Sequence, residues 1–401
     1  MATDDLNARR SFAQSNPLSH ERIVALFLAR TGRTPKAVEP LTSIAAEYHA
    51  VYKVLLPLAA KASSSSSTES FYLRVSRPCI PSIKTENEVA CIAWVRRHAP
   101  SVPVPEVLFW ASDTTELGYE YIVMNEIPGV SLDKCWKDMS VEGLDAIAEQ
   151  VAGYCVDLMA ACSSPAAGCF DGSVAGLKFG KGQNDIIAGP FVNEKCWEEP
   201  VIRAHLPAHE SFDTVNAVGP FSSYSAYLAT EISIPCRLLS SYLPGKYTAL
   251  AERANRLVQT VLPTHAETID KVPTQLSHRD MHFGNIMVQD GRVTGFVDWE
   301  FAAISASTVG NVPLFWPCAF DEQADAAQAR CLGIYKRIVA ERLPEMLGWL
   351  EEEPKGVAQR VRRVGSLLKY VAMCSIDRSE SEEKINGWAA AAETELAALG
   401  V

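Results

Sequence analysis

Residues 276–300 constrain this chain more tightly than any other stretch: Leu276-Ser-His-Arg-Asp-Met-His-Phe-Gly-Asn-Ile-Met-Val-Gln-Asp-Gly-Arg-Val-Thr-Gly-Phe-Val-Asp-Trp-Glu300. The apolar runs 285–288 and 293–297 flank Gln289-Asp290-Gly291-Arg292. Two short strand-like runs around an Asp-Gly pair predict a β-hairpin. Asp298 follows the apolar run Gly295-Phe-Val297, so its carboxylate emerges at a strand end. Before the hairpin stands a dense polar cluster, His278, Arg279, Asp280, His282 and Asn285.

The surrounding chain divides into a strand-rich first third and a helical remainder. Residues 48–56 alternate partially, as a half-buried strand does, and Phe71-Tyr-Leu-Arg-Val75 reads as its partner across a serine run at 63–67. Residues 84–98 predict a helix ended by Pro100, Pro103 and Pro105, and residues 119–124 a further strand before the Pro128-Gly129 turn. Residues 141–162 carry Leu144, Ile147, Val151, Tyr154 and Leu158 at helical spacing. Residues 163–220 read as loop-rich, 222–242 and 246–262 as helices, and the chain from about 321 onward as helical.

Composition narrows the partners. The 401 residues carry a formal net charge of -11, which argues against nucleic acid or an anionic membrane and favours cationic ligands. The longest apolar runs, such as 54–60 and 388–392, are far too short to span a bilayer, and residues 1–16 hold no apolar signal region. Eleven cysteines without a C-x-x-C pair point to a reduced, cytoplasmic setting without structural zinc.

Phosphoryl transfer asks a protein for a carboxylate beside the acceptor hydroxyl, oxygen ligands for magnesium, and a cation on the phosphates that stay behind. Asp280 can accept or orient the acceptor proton, while Asn285 and Asp298 offer oxygens to a hard cation. The spacing of His278-Arg279-Asp280 and Asn285 resembles the protein-kinase catalytic loop. It resembles the aminoglycoside phosphotransferase and choline kinase family more closely still, because His282 matches a second histidine that protein kinases usually lack. Val102-Pro-Val-Pro105, Tyr121-Ile-Val-Met-Asn-Glu-Ile-Pro-Gly129 and Ser131-Leu132 resemble that family's hinge region. The likeness covers roughly residues 40 to 305 and is nearest to a fungal-type branch.

The resemblance implies an α+β, protein-kinase-like two-lobed fold. Residues 1–127 would form a small antiparallel β-sheet lobe with an N-terminal helical extension, and 128–401 a larger, mainly helical lobe. ATP would lie between them, its adenine against residues 124–127, with backbone groups of Asn125 and Ile127 as hydrogen-bond partners. Asn285 and Asp298 would hold Mg2+, Asp280 would face a small-molecule hydroxyl acceptor, and His278, His282 and Glu300 would support them.

The N-terminal part departs from the family pattern. Where a phosphate-binding lysine is expected, this chain offers Arg74, which keeps the charge but is not interchangeable with lysine. Glu88 is its expected ion-pair partner, with Glu86 as the competitor. The segment Thr42-Ser-Ile-Ala-Ala-Glu-Tyr-His49 stands where a glycine-rich phosphate loop belongs but has no glycine, leaving Ser43 and exposed amides to form a cradle.

Plainer readings stand beside these. His278 reads as a structural histidine, Arg279 as solvent-facing or paired with an acid, and Trp299, Trp316 and Trp388 as core. Asp321, Glu322 and Asp325 read as a solvated helix face or an amine site. His278, Asp280 and His282 could instead form a metallohydrolase cluster, although no second metal motif accompanies them. The glycine-free loop leaves a further alternative: a kinase-fold protein that uses ATP differently, by carboxylate activation or adenylyl transfer, or a non-catalytic nucleotide-binding relative. A protein kinase is disfavoured, because Asp298-Trp-Glu replaces D-F-G and no A-P-E follows.

Overall fold

The structure, a computed structural model, describes residues 12, 16–41, 49–58, 68–80, 82–163, 173–182, 185–306, 321–351 and 356–401. Ser43, the serine run at 63–67 and Trp316 lie outside them.

Helix α1 (His20–Thr31) opens the described chain, capped by Ser19, whose hydroxyl accepts from the Arg22 amide, and ended by left-handed Gly32. Five strands follow, β1 (Ala37–Pro40), β2 (His49–Pro57), β3 (Thr68–Ser76), β4 (Val107–Ala111) and β5 (Tyr121–Asn125). They form one antiparallel sheet in the order β1-β2-β3-β5-β4. Tyr52, Val54 and Leu56 of β2 and Phe71, Leu73 and Val75 of β3 pack with Ile23, Leu26 and Phe27 of α1. The two-residue period of a strand therefore turns Arg74 to the opposite face. Helix α2 (Ile83–His98) covers that face and is buried along most of its length, including the polar side chains of Lys84, Thr85, Asn87 and Glu88.

A short strand, β6 (Val130–Ser131), leads into helix α3 (Val141–Cys162). The stretch 163–220, expected to be loop-rich, holds regular elements: β7 (Gly176–Phe179), β8 (Ile186–Gly189), α4 (Glu199–His205) and α5 (Phe212–Val215). Each is seven residues or fewer, too short to show a period in the sequence. Helix α6 (Tyr224–Tyr242) and helix α7 (Thr248–Arg256) follow. The helix expected to end at 262 instead continues through a π-helical turn (Leu257–Val261) into α8 (Leu262–Ile269).

Strand β9 (Thr274–Ser277) pairs with β12 (Ala303–Ala306), and between them lies the hairpin of β10 (Ile286–Gln289) and β11 (Arg292–Phe296). Its turn residues Asp290 and Gly291 both take positive φ, as a two-residue hairpin turn requires. Helices α9 (Glu322–Arg342), α10 (Pro344–Glu351), α11 (Val357–Asp377) and α12 (Glu382–Ala398) complete the chain. Asp321 caps α9 by accepting from the Ala324 amide and pairs with Lys137 at 2.8 Å, so it serves the helix start. No helix among the described residues is long and apolar enough to cross a membrane.

One pin in the helical half has a measurable consequence. Glu210 accepts from Arg237 at 2.5 and 3.1 Å, from the Thr214 hydroxyl at 2.6 Å and from Tyr242 at 2.8 Å, tying the segment around α5 to α6. The Arg237 hydrogen bond, helped by the two hydroxyls, lowers the Glu210 carboxyl to about 2. A carboxylate with a depressed folded pKa stabilises fully above its unfolded value near 4.5 and loses that contribution as pH falls towards 2. Glu210→Gln is expected to cost about 1–2 kcal/mol near neutrality, discounted because Arg237 is partly exposed. Urea melts of the two chains should differ at pH 7 and converge by about pH 2. A constant difference across that range would remove the charge from the account.

Candidate active site

The turn between β9 and the hairpin holds the polar cluster in place by spending its histidines internally. His278 is buried, contacts the Val297 carbonyl through Nε2 at 2.9 Å, and packs edge-on against Trp299. Burial pulls its pKa down to about 4, so the ring is neutral at pH 7. Its Nδ1 accepts from the Asp280 amide at 3.4 Å, so neither ring nitrogen is left for a metal. This removes the metallohydrolase reading. His282 accepts from the Gly284 amide through Nδ1 at 3.0 Å, which places its proton on Nε2, 3.8 Å from the Asp280 carboxylate. Arg279, in left-handed conformation and still partly exposed, lies over the Phe191 ring at 4.6 Å and donates to the Val192 carbonyl at 3.3 Å.

Asp280 and Asn285 form one unit. The Asn285 amide nitrogen donates to the Asp280 carbonyl at 2.8 Å and to its Oδ2 at 3.2 Å. Because the NH2 side is thus committed, the amide oxygen is the atom Asn285 can give to a cation. Asp280 keeps about a third of its side chain exposed. Burial, with the charge of Asp298 added, raises its pKa above the ordinary carboxylate value.

Asp298 lies just past β11 with a φ of 70°. Its Oδ1 accepts from Arg74 Nη2 at 2.6 Å, and a third of the side chain remains exposed. Burial works against its ionised form, but Arg74 and Lys84 outweigh burial and hold its pKa below the ordinary value. Arg74 also donates through Nη1 to Glu88 on α2. Glu86 is occupied elsewhere, accepting from the Phe179 amide at 3.3 Å. One guanidinium therefore joins the sheet, helix α2 and the end of the hairpin. Hard oxygen ligands are what magnesium prefers, and Asp298 Oδ2 with the Asn285 amide oxygen supplies such a set.

Behind Arg74 the structure gathers, around the expected Glu300, residues that sequence reasoning missed. Lys84 Nζ contacts the Glu300 carboxylate and lies 3.1 Å from His49 Nε2, and all three side chains are buried. His49 Nδ1 lies 3.0 Å from Arg74 Nη2. Asn87 donates to the carbonyls of Glu300 at 3.2 Å and Ala302 at 2.9 Å, and accepts from the Leu177 amide at 2.7 Å. The available signal was the i,i+4 spacing of Lys84 and Glu88, which puts both charges on one helix face. Oxygen and nitrogen atoms of His49, Glu88 and Glu300 lie within 4.8 Å of one another, but Arg74 and Lys84 already supply the positive charge there.

Part of the backbone at the expected hinge is already committed. The Asn125 amide donates to the Glu106 carbonyl at 3.0 Å, so its backbone N–H is spent within the lobe and only its carbonyl is left for a ligand. Ile127 is buried against Gly295 of β11, where an added Cβ would meet Ile127 Cγ2 at 2.8 Å. Gly295→Val is accordingly expected to displace Ile127 and to cost about 1–3 kcal/mol of stability, with an unchanged urea midpoint as the contrary result.

The sequence profile of the phosphotransferase enzyme family (APH) matches residues 59–330, more than half of the chain. The chain belongs to the phosphotransferase enzyme family. No curated protein matches it. Among solved structures, the phosphotransferase is similar to the ADP-bound aminoglycoside phosphotransferase APH(2'')-Ib. The TM-score is 0.52 and the identity 12%, with 95% of this chain and 99% of that chain covered. It is also similar to the streptomycin–ATP–APH(2'')-IIa ternary complex, with a TM-score of 0.51, 12% identity, and 94% and 96% covered. At this identity the likeness is one of fold, and it makes the phosphotransferase a kinase-like protein with an N-terminal antiparallel sheet and a mostly helical remainder.

Proposed function

We propose that this phosphotransferase moves the γ-phosphoryl group of ATP to a hydroxyl of a small molecule. The observation that carries the reading is the convergence of Asp280, Asn285 and Asp298, with a buried-stem arginine beside them. Asp280 faces the acceptor, orients its hydroxyl and takes up its proton. Asn285 fixes the Asp280 carboxylate through its NH2 group, and its amide oxygen together with the Asp298 carboxylate would hold magnesium. Magnesium, when bound there, neutralises charge on the phosphates. Arg74, steadied by Glu88, takes the non-transferred phosphates in a forked contact.

The lobe boundary is placed at 127/128, with the adenine of ATP against residues 124–127 and the Asn125 carbonyl and Ile127 backbone facing it. The acceptor sits on the helical side, and the net charge of -11 favours a cationic one. The nine described cysteines are all free of disulfides, which suits a reducing, cytoplasmic setting. The deciding experiment follows ADP release with ATP and Mg2+ against a panel of aminoglycosides, choline-like amino alcohols and sugars. Acceptor-dependent ADP release with matching phosphorylated product supports transfer. Release of AMP or pyrophosphate instead would replace it with adenylyl chemistry.

A further inference from the structure

Two cations lie behind the hairpin end, one half-buried and one buried, and the geometry gives them different freedom. Arg74 keeps 12% of its side chain exposed and reaches Asp298, whereas Lys84 is 1% exposed and enclosed by Glu300 and His49. His49 distinguishes them further. Burial, with the two neighbouring cations, holds its pKa well below the ordinary histidine value, so the ring is neutral. A neutral imidazole has a single acceptor nitrogen. Nε2 lies 3.1 Å from the Lys84 ammonium, whereas Arg74 Nη2 lies 3.0 Å from Nδ1 and 3.4 Å from Nε2, close to both nitrogens at once and so over the ring rather than in line with either lone pair. The single lone pair can therefore go to Lys84 with Arg74 in place. Lys84 would keep both its imidazole and its carboxylate partner if Arg74 turned to a phosphate.

That movement would deprive Asp298 of its partner while it sits at a φ of 70°, in a region that non-glycine residues adopt at a cost. The 298–300 turn would then be held by Trp299, whose indole donates to the Phe296 carbonyl, and by Glu300, fixed by Lys84 at its carboxylate and by Asn87 at its carbonyl. Resting on the functional reading above, we propose that Lys84 is a positioning residue. Through Glu300 it keeps Asp298 at the magnesium site while Arg74 exchanges that carboxylate for nucleotide phosphate.

A buried ion pair that only stabilises the fold would behave otherwise, and the magnesium dependence of ATP binding separates the two. ATP affinity is measured by calorimetry with and without Mg2+ on the parent chain, Lys84→Met, Glu300→Gln and the double variant, beside their melting temperatures. The double variant removes both charges, so no orphan charge remains buried to unfold it. Lys84→Met and the double variant are expected to lose at least about tenfold of the magnesium enhancement, with Mg2+-free affinity unchanged. Magnesium enhancement kept within about twofold in either folded variant would overturn the proposal, as would a loss confined to Glu300→Gln. A parent chain that binds ATP equally with and without Mg2+ would overturn the functional reading itself, before any variant is compared.

Discussion

Replacing Asp280 by asparagine is expected to cut phosphoryl-transfer turnover by about a hundredfold or more while leaving ATP affinity within about threefold of the parent. The asparagine keeps the shape of the side chain and can still accept from Asn285, so the turn should survive. What it loses is the carboxylate, and its charge, proposed to take up the proton of the acceptor hydroxyl. Asp280 does not touch Arg74, the group assigned to the nucleotide, so binding should be spared. Steady-state kinetics paired with calorimetry reads both effects in one preparation. Turnover kept above roughly a tenth of the parent value would take the acceptor role away from Asp280.

Asp298→Ala should have the complementary signature. The variant removes the carboxylate proposed to hold magnesium and at the same moment releases Arg74 from its 2.6 Å contact, with Glu88 still in place to steady it. Mg2+-free ATP should therefore bind at least as well as to the parent, while the gain from adding Mg2+ disappears. Turnover should fall by two or more orders of magnitude, because charge neutralisation on the transferring group is lost. A variant that still binds Mg2+-ATP better than free ATP by the parent's factor would place the ion on other ligands.

Legibility in the sequence followed the range of the interactions. The β10–β11 hairpin could be read because its turn is written in two adjacent residues, Asp290 and Gly291, and its strands flank them. Helix α3 could be bounded at 141–162 because six turns repeat one apolar stripe. Asp280, Asn285 and Asp298 stood out because they fall within 19 residues in fixed spacing. Lys84 and His49 did not, since they meet Glu300 from 216 and 251 residues away and nothing near them in sequence marks the encounter. The bond that occupies the Asn125 amide was illegible for a similar reason. Its partner is set by the pairing of β4 with β5, which includes a register shift between Val107 and Phe109.

The charges of helix α2 also bear on whether the two halves of this fold can be exchanged as parts. Lys84 of α2 and Arg74 of β3 are matched by Glu300 and Asp298, which come from the far side of the hinge, whereas Glu88 of α2 is matched by Arg74 within the sheet half. A chimaera that joins this sheet half to the helical half of another kinase-like protein would seal an ammonium against whatever stands at position 300. Unless a carboxylate stands there, the graft should fail at the seam, however well the apolar surfaces fit.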